Sequence, residues 1–131
     1  MKVGPVAARC LGSCPLFRYE IRRWRDGQIS DIAEAVNSPQ SVGGSLARAE
    51  RLLELVPYVP GCTWGRDEVG AGDMWNSNSV VSWLLARSGH DVHNIMPPAF
   101  GRAPGWRAGL VLAARQARTE VTVAQVRDGH C

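Results

Sequence analysis

The residues best suited to chemistry lie between Gly72 and Leu85, where Asp73, Trp75 and the triplet Asn76, Ser77, Asn78 run straight into an apolar stretch. Asn and Ser at such a boundary are strong helix N-caps, because their side-chain oxygens accept from backbone N–H groups that the first turn leaves unpaired. The same position sets a hydroxyl at the positive end of a helix dipole, beside free donors. That setting suits a nucleophile or a bound anion, so Ser77 is the candidate catalytic residue. Asp73, Trp75, Asn76 and Asn78 are candidate ligand contacts, with Asp73 also placed to favour the dipole of the helix that follows it. Trp106 joins them from a Pro- and Gly-flanked run, since an indole can bury its rings and still offer its N–H to a partner.

Other reactive residues carry less. Cys10 and Cys14 have C-x-x-x-C spacing, and His90 and His93 lie three apart. Together they match the ligand number of a zinc site, but no second pair repeats the spacing and the histidines sit among Gly89, Asp91 and Asn94. Free thiols in a reducing compartment are the better reading, and no metal is assigned. The segment from Gly101 to Trp106 lacks the G-x-x-x-x-G-K-[ST] phosphate loop, and nothing in the chain calls for a cofactor.

Several elements must position this site. Phe17 to Arg22 alternates apolar with polar, which predicts a half-buried strand with Phe17, Tyr19 and Ile21 inward. Trp24 extends it, Asp26 and Gly27 signal a turn, Gln28 to Ser30 form a short return strand, and Asp31 caps a brief helix to Ala35. Residues 45–56 predict a helix with Leu46, Ala49, Leu53 and Val56 in one stripe, ended by Pro57. A long loop follows from Tyr58 to Gly72. The helix launched near Ser77 ends by Ser88 with Gly89 as its stop, and Val80, Val81, Trp83, Leu84 and Leu85 make it apolar nearly all round, hence buried. Ala108 to Gln116 predicts a short third helix with Leu110, Ala113 and Ala114 inward, and Thr119 to Val123 a weak strand.

A chain of 131 residues suits one domain. The expectation is an irregular tail over 1–15, a single α+β domain over 16–116 and a C-terminal strand or frayed tail over 117–131. The fold class is α+β, a small antiparallel sheet packed on two main helices. No apolar run reaches the ~20 residues needed to cross a bilayer, and the N-terminus is too broken for a secretory signal, so the default location is the cytoplasm with no membrane partner. Net charge is +3, and six basic residues fall in the first 25 against Glu20 alone. Charges on an edge strand commonly block unwanted pairing, so this balance reads as a solvated edge rather than a nucleic-acid surface.

The Asn76-Ser77-Asn78 start, with Val80 and Val81 after it, Pro97 and Pro98, the Pro104-Gly105-Trp106 run and the earlier Tyr19-Glu20-Ile21 strand with Trp24, resembles an uncharacterised bacterial branch of the permuted papain-like superfamily. Its relatives are the NlpC/P60 and lecithin-retinol acyltransferase groups, and the resemblance covers roughly residues 16 to 115. It implies a degenerate papain-like fold. In active relatives a Cys thiolate opens this helix and a His comes from an earlier strand; here Ser77 holds the Cys position, and His90, His93 and His130 all follow it. The implied function is a serine-substituted, inactive site that binds an amide- or peptidoglycan-like ligand, a small molecule or peptide. Two alternatives stand beside it: a non-enzymatic interaction domain using the basic strand and tryptophan loops, and an active amidase or peptidase with Ser77 as nucleophile.

Overall fold

The computed structural model describes residues 2–23, 33, 41–97 and 99–128. The alternating segment forms β2 (Arg18–Ile21), half-buried at Tyr19 and Ile21 and exposed at Arg18 and Glu20. Phe17 stays largely outside, at the end of a 3-10 turn over Pro15–Phe17. β2 pairs antiparallel with β1 (Lys2–Pro5), so the expected irregular tail contains half of the sheet. Gly and Pro within β1 hide it from local reading; both suit an edge strand, and a Cβ at Gly4 would run into the Tyr19 ring opposite. Trp24, the turn at Asp26 and Gly27, the strand from Gln28 to Ser30 and the helix ends Asp31 and Ala35 lie outside the described residues.

α1 (Leu46–Leu55) runs into a 3-10 turn over Val56–Tyr58, where Pro57 sits. Of its expected stripe only Val56 is buried. Leu46 is 75% and Leu53 48% exposed and Ala49 lies in solvent, whereas Leu55 and Val56 are buried and Leu52 is half-buried. The helix is docked mainly at its C-terminal end, so the first turns have nothing to bury against among the described residues.

α2 (Ser77–Arg87) starts and stops as its sequence predicts, with Gly89 at φ +80° beyond the last turn. Val80, Trp83, Leu84 and Leu85 are buried, but Val81 is 47% exposed. Besides these apolar residues, α2 buries two serines completely, Ser79 and Ser82.

α3 (Trp106–Asp128) is 23 residues long and absorbs both the short third helix and the expected strand from Thr119 to Val123. The hydroxyls of Thr119 and Thr122 bond back to the carbonyls of Arg115 and Arg118, an arrangement that seats Thr within a helix. The inward residues are Ala108, Gly109 and Ala113; Leu110 is half-buried and Ala114 exposed. The last residues, 129–131, lie outside the described set.

α2 and α3 run in the same direction with their N-termini together: Ser79 meets Gly105, Ser82 meets Trp106, Trp83 meets Gln116 and Arg87 meets Glu120. This is the most extensive contact between elements. Trp75, Trp83, Val59, Val80, Leu84 and Ala108 form the core beneath it, with Tyr19 and Ile21 of the sheet packed against it. The expected loop after Tyr58 is stitched into the body: Trp64 bridges Val6 on one side and Trp75 on the other. The result is the expected α+β class, a small antiparallel sheet packed with helices, of which the third is longer than expected. Among the described residues no helix is long and apolar enough to cross a membrane.

Candidate functional site

The N-cap of α2 is Asn76. Its Oδ1 accepts from the backbone N–H of Asn78 at 2.9 Å and of Ser79 at 3.3 Å, while the Ser79 hydroxyl accepts from the Asn76 N–H at 3.0 Å. That is a capping box with Ser in the place usually held by Glu or Gln. Two of the donors that would greet an anion at this helix start, the N–H groups of Asn78 and Ser79, are therefore already bonded to Asn76 Oδ1. Ser77 is the first residue of the helix, exposed, and its hydroxyl makes no hydrogen bond among the described residues.

The rest of the motif ties α2 to α3. Nδ2 of Asn76 and Nδ2 of Asn78 both donate to the Pro104 carbonyl, at 2.8 and 2.9 Å. The Ser79 hydroxyl lies 2.7 Å from the Gly105 carbonyl and 3.1 Å from that of Met74; with one proton to give, it favours the nearer. Ser82 likewise donates to the Trp106 carbonyl at 2.8 Å. Asp73 accepts from the N–H groups of Gly105 at 2.8 Å and Arg107 at 3.2 Å, so it caps α3 rather than the helix that follows it in sequence. Two positive helix ends meet here, and the Asp73 carboxylate stands at their junction.

Only very small residues permit this approach. Gly105 has φ +89°, and a Cβ there would run into the Asn76 amide; one at Gly109 would run into the Ser79 carbonyl and the Ser82 hydroxyl. Of the six residues singled out from the sequence, Asp73, Asn76 and Asn78 are thus joined with the start of α3. Trp106 is half-buried as its first residue, and Trp75 is fully buried with its Nε1–H donated to the Tyr19 hydroxyl at 3.2 Å. Ser77 stands apart from this network. Sequence reasoning missed Ser79, Ser82, Gly105 and Gly109; the small-residue spacings Ser79-x-x-Ser82 and Gly105-x-x-x-Gly109 were the available signal.

Ser77 borders a groove of about 380 Å³ between β2 and α2, whose apolar wall is Tyr19, Ile21, Trp64, Val80 and Val81. Its charged residues, Glu20 and Arg22, pair with each other. Tyr19 is anchored below by donating to the Cys62 carbonyl at 2.7 Å, and burial pushes its phenol up to about 12, so it stays protonated at neutral pH. Its ring tilts against Trp64 at 4.8 Å. Burial also raises the Cys62 thiol, which disfavours its reactive thiolate.

Elsewhere the basic N-terminal charges have local partners. Arg9 forks onto Glu68 at 2.9 and 3.2 Å, Arg18 donates to the carbonyls of Gly12 and Ser13, and Arg23 to that of Leu53. The Arg9 hydrogen bond, helped by Thr63 and opposed by burial, holds the Glu68 carboxyl down at about 2. His90 Nδ1 lies 2.8 Å from the Ser88 hydroxyl, next to the C-terminus of α2 and not its start. Among the described residues no three His, Cys, Asp or Glu side chains come together as a metal site. No family model matches the chain, and no curated protein or solved structure matches it either.

Proposed function

We propose that the chain is a non-catalytic binding domain of the permuted papain-like kind, taking an amide-bearing, peptide- or peptidoglycan-like ligand in the groove beside Ser77. The observation that carries this reading is a hydroxyl on an apolar groove with, among the described residues, no base in hydrogen-bond contact with it. A serine hydroxyl needs an adjacent base to become a nucleophile, and a positioned base contributes about 10²–10⁴-fold to rate. Without one, the same hydroxyl still donates to a ligand carbonyl. The groove volume of about 380 Å³ falls in the range of small-ligand sites, and its walls suit the acyl or side-chain portion of such a ligand. A cytoplasmic setting belongs to the same proposal, supported by the unpaired thiols Cys10, Cys14 and Cys62.

Titration with N-acetyl-leucine amide, followed by amide NMR, should shift Ser77, Val80 and Val81 saturably. Val81→Glu should abolish the response and keep the melting temperature, because Val81 is 47% exposed. Absence of saturable shifts at these residues would defeat the proposal. Labelling of the protein by a fluorophosphonate, lost in Ser77→Ala, would replace it with the amidase or peptidase reading.

A further inference from the structure

At the far end of the α2–α3 pair lies a cavity of about 580 Å³, reached also by α1 and the turn after it. Three guanidiniums line it, Arg51, Arg87 and Arg115, against the single carboxylate of Glu120, with Tyr58 and Trp83 supplying aromatic wall. The partners of these arginines do not exhaust them. Arg87 donates one Nη2 bond to Glu120 at 2.6 Å, yet its Nε is buried and has no acceptor among the described residues. Arg115 donates through Nη1 to the Val69 carbonyl and lies within electrostatic reach of Asp67, while Arg51 pairs with Glu54, its i+3 neighbour, at 3.4 Å and also acts on Glu120. A guanidinium carries five donors, and a buried N–H without an acceptor loses its bonds to water with nothing to replace them. The wall of the cavity therefore brings together three guanidiniums, donors beyond those already bonded and an aromatic surface.

We propose that this cavity binds a small oxyanion, a phosphate or carboxylate, carried on an aromatic or apolar body. The oxyanion bonds Arg87 and Arg115, Arg51 closes over it from the solvent side, and the body lies along Trp83 and Tyr58. Planar guanidiniums match both headgroups by paired N–H bonds, which a lone ammonium cannot do. Glu120 competes with the anion for Arg87, and the Arg87 hydrogen bond lowers its carboxyl from the ordinary value, which favours the ionised form. The site is separate from the groove beside Ser77 and does not depend on its reading.

The test uses the whole chain, with calorimetry and intrinsic tryptophan fluorescence reporting titrations of phenyl phosphate, benzoate and inorganic phosphate. Phenyl phosphate or benzoate should bind saturably and more tightly than inorganic phosphate, and the tighter of the two identifies the headgroup. Arg51→Gln should weaken that binding roughly tenfold or more, the scale of one charged hydrogen bond. Arg51 is largely exposed, at 54% of its side chain, so this variant should fold as the parent does. Glu120→Gln should instead tighten binding by several fold, because it removes the competitor and keeps the shape. A merely structural role for Glu120 would lower stability without that gain. No saturable binding by the parent chain, equal affinity for phenyl phosphate and inorganic phosphate, or no change in either variant would overturn the proposal.

Discussion

Where α2 and α3 begin, Asp73, Asn76, Asn78, Ser79 and Ser82 direct side-chain bonds to backbone groups 24–34 residues away, whereas further along the same pair Arg87 keeps a buried Nε–H without an acceptor among the described residues. Both regions are polar and both are built by the same two helices. They differ in whether the polar groups have capacity left. A polar side chain whose bonds are all made within the chain holds the fold, and replacing it should register as lost stability. One with donors remaining has something to offer a ligand, and replacing it should register as lost affinity.

The sharpest way to break this contrast is Gly109→Val. Its side chain would occupy the space of the Ser79 carbonyl and the Ser82 hydroxyl, so the helices must separate at their closest approach. A loss of roughly 3 kcal/mol or more is expected, at the upper end of overpacking effects, and urea unfolding measures it. A loss below about 1 kcal/mol would mean that the joint is not tightly set.

Asp73→Ala comes next. It removes the acceptor of two N–H groups at the start of α3 and the negative charge between two helix N-termini, and should cost about 2 kcal/mol in the same measurement. Asn76→Ala should cost about 1–2 kcal/mol through loss of the cap. Its control is Ser77→Ala, one residue along, which should change stability by no more than about 0.5 kcal/mol because that hydroxyl has no partner in the fold. Equal losses in the two variants would erase the distinction between the joint and the groove.

The smallest expected effect lies at the Arg9–Glu68 clip, which fastens the N-terminal segment to the loop after α1. Because Glu68 is held at about 2 in the folded chain, below its ordinary 4.5, its contribution is complete above the ordinary value. It is lost as pH falls from there through the folded value. Thermal unfolding of the parent chain should therefore weaken more steeply between about pH 4.5 and pH 2 than that of Glu68→Gln. Parallel profiles would remove Glu68 from the list of groups that stabilise the fold.

Much of the fold was legible where local chemistry and tertiary demand agree. The Asn and Ser before an apolar run, and the Gly after it, mark α2 at both ends, because capping needs only neighbours in sequence. Alternation marked β2 for the same kind of reason: successive strand side chains must point oppositely. The partner strand β1 was not legible, since Gly4 and Pro5 are poor strand formers that pairing with β2 tolerates. Nor was the buried stripe of α1, where Leu46 and Leu53 have strand-independent apolar character but meet no core.

The candidate site divides along the same line. Sequence by itself determined that a helix would begin at Asn76 and Ser77 and that polar groups would crowd its start. Only the tertiary structure decided which helix each of them serves: Asp73 caps α3, Asn76 and Asn78 reach Pro104, and Ser77 is left facing a groove. It also brought Arg51, Arg87 and Arg115 to one cavity from three helices. A hydrogen bond between neighbours is fixed by the chain's covalent spacing. One between residues 26 or 34 apart exists only once packing has set two backbones beside each other, and here Gly105 and Gly109 allow that approach.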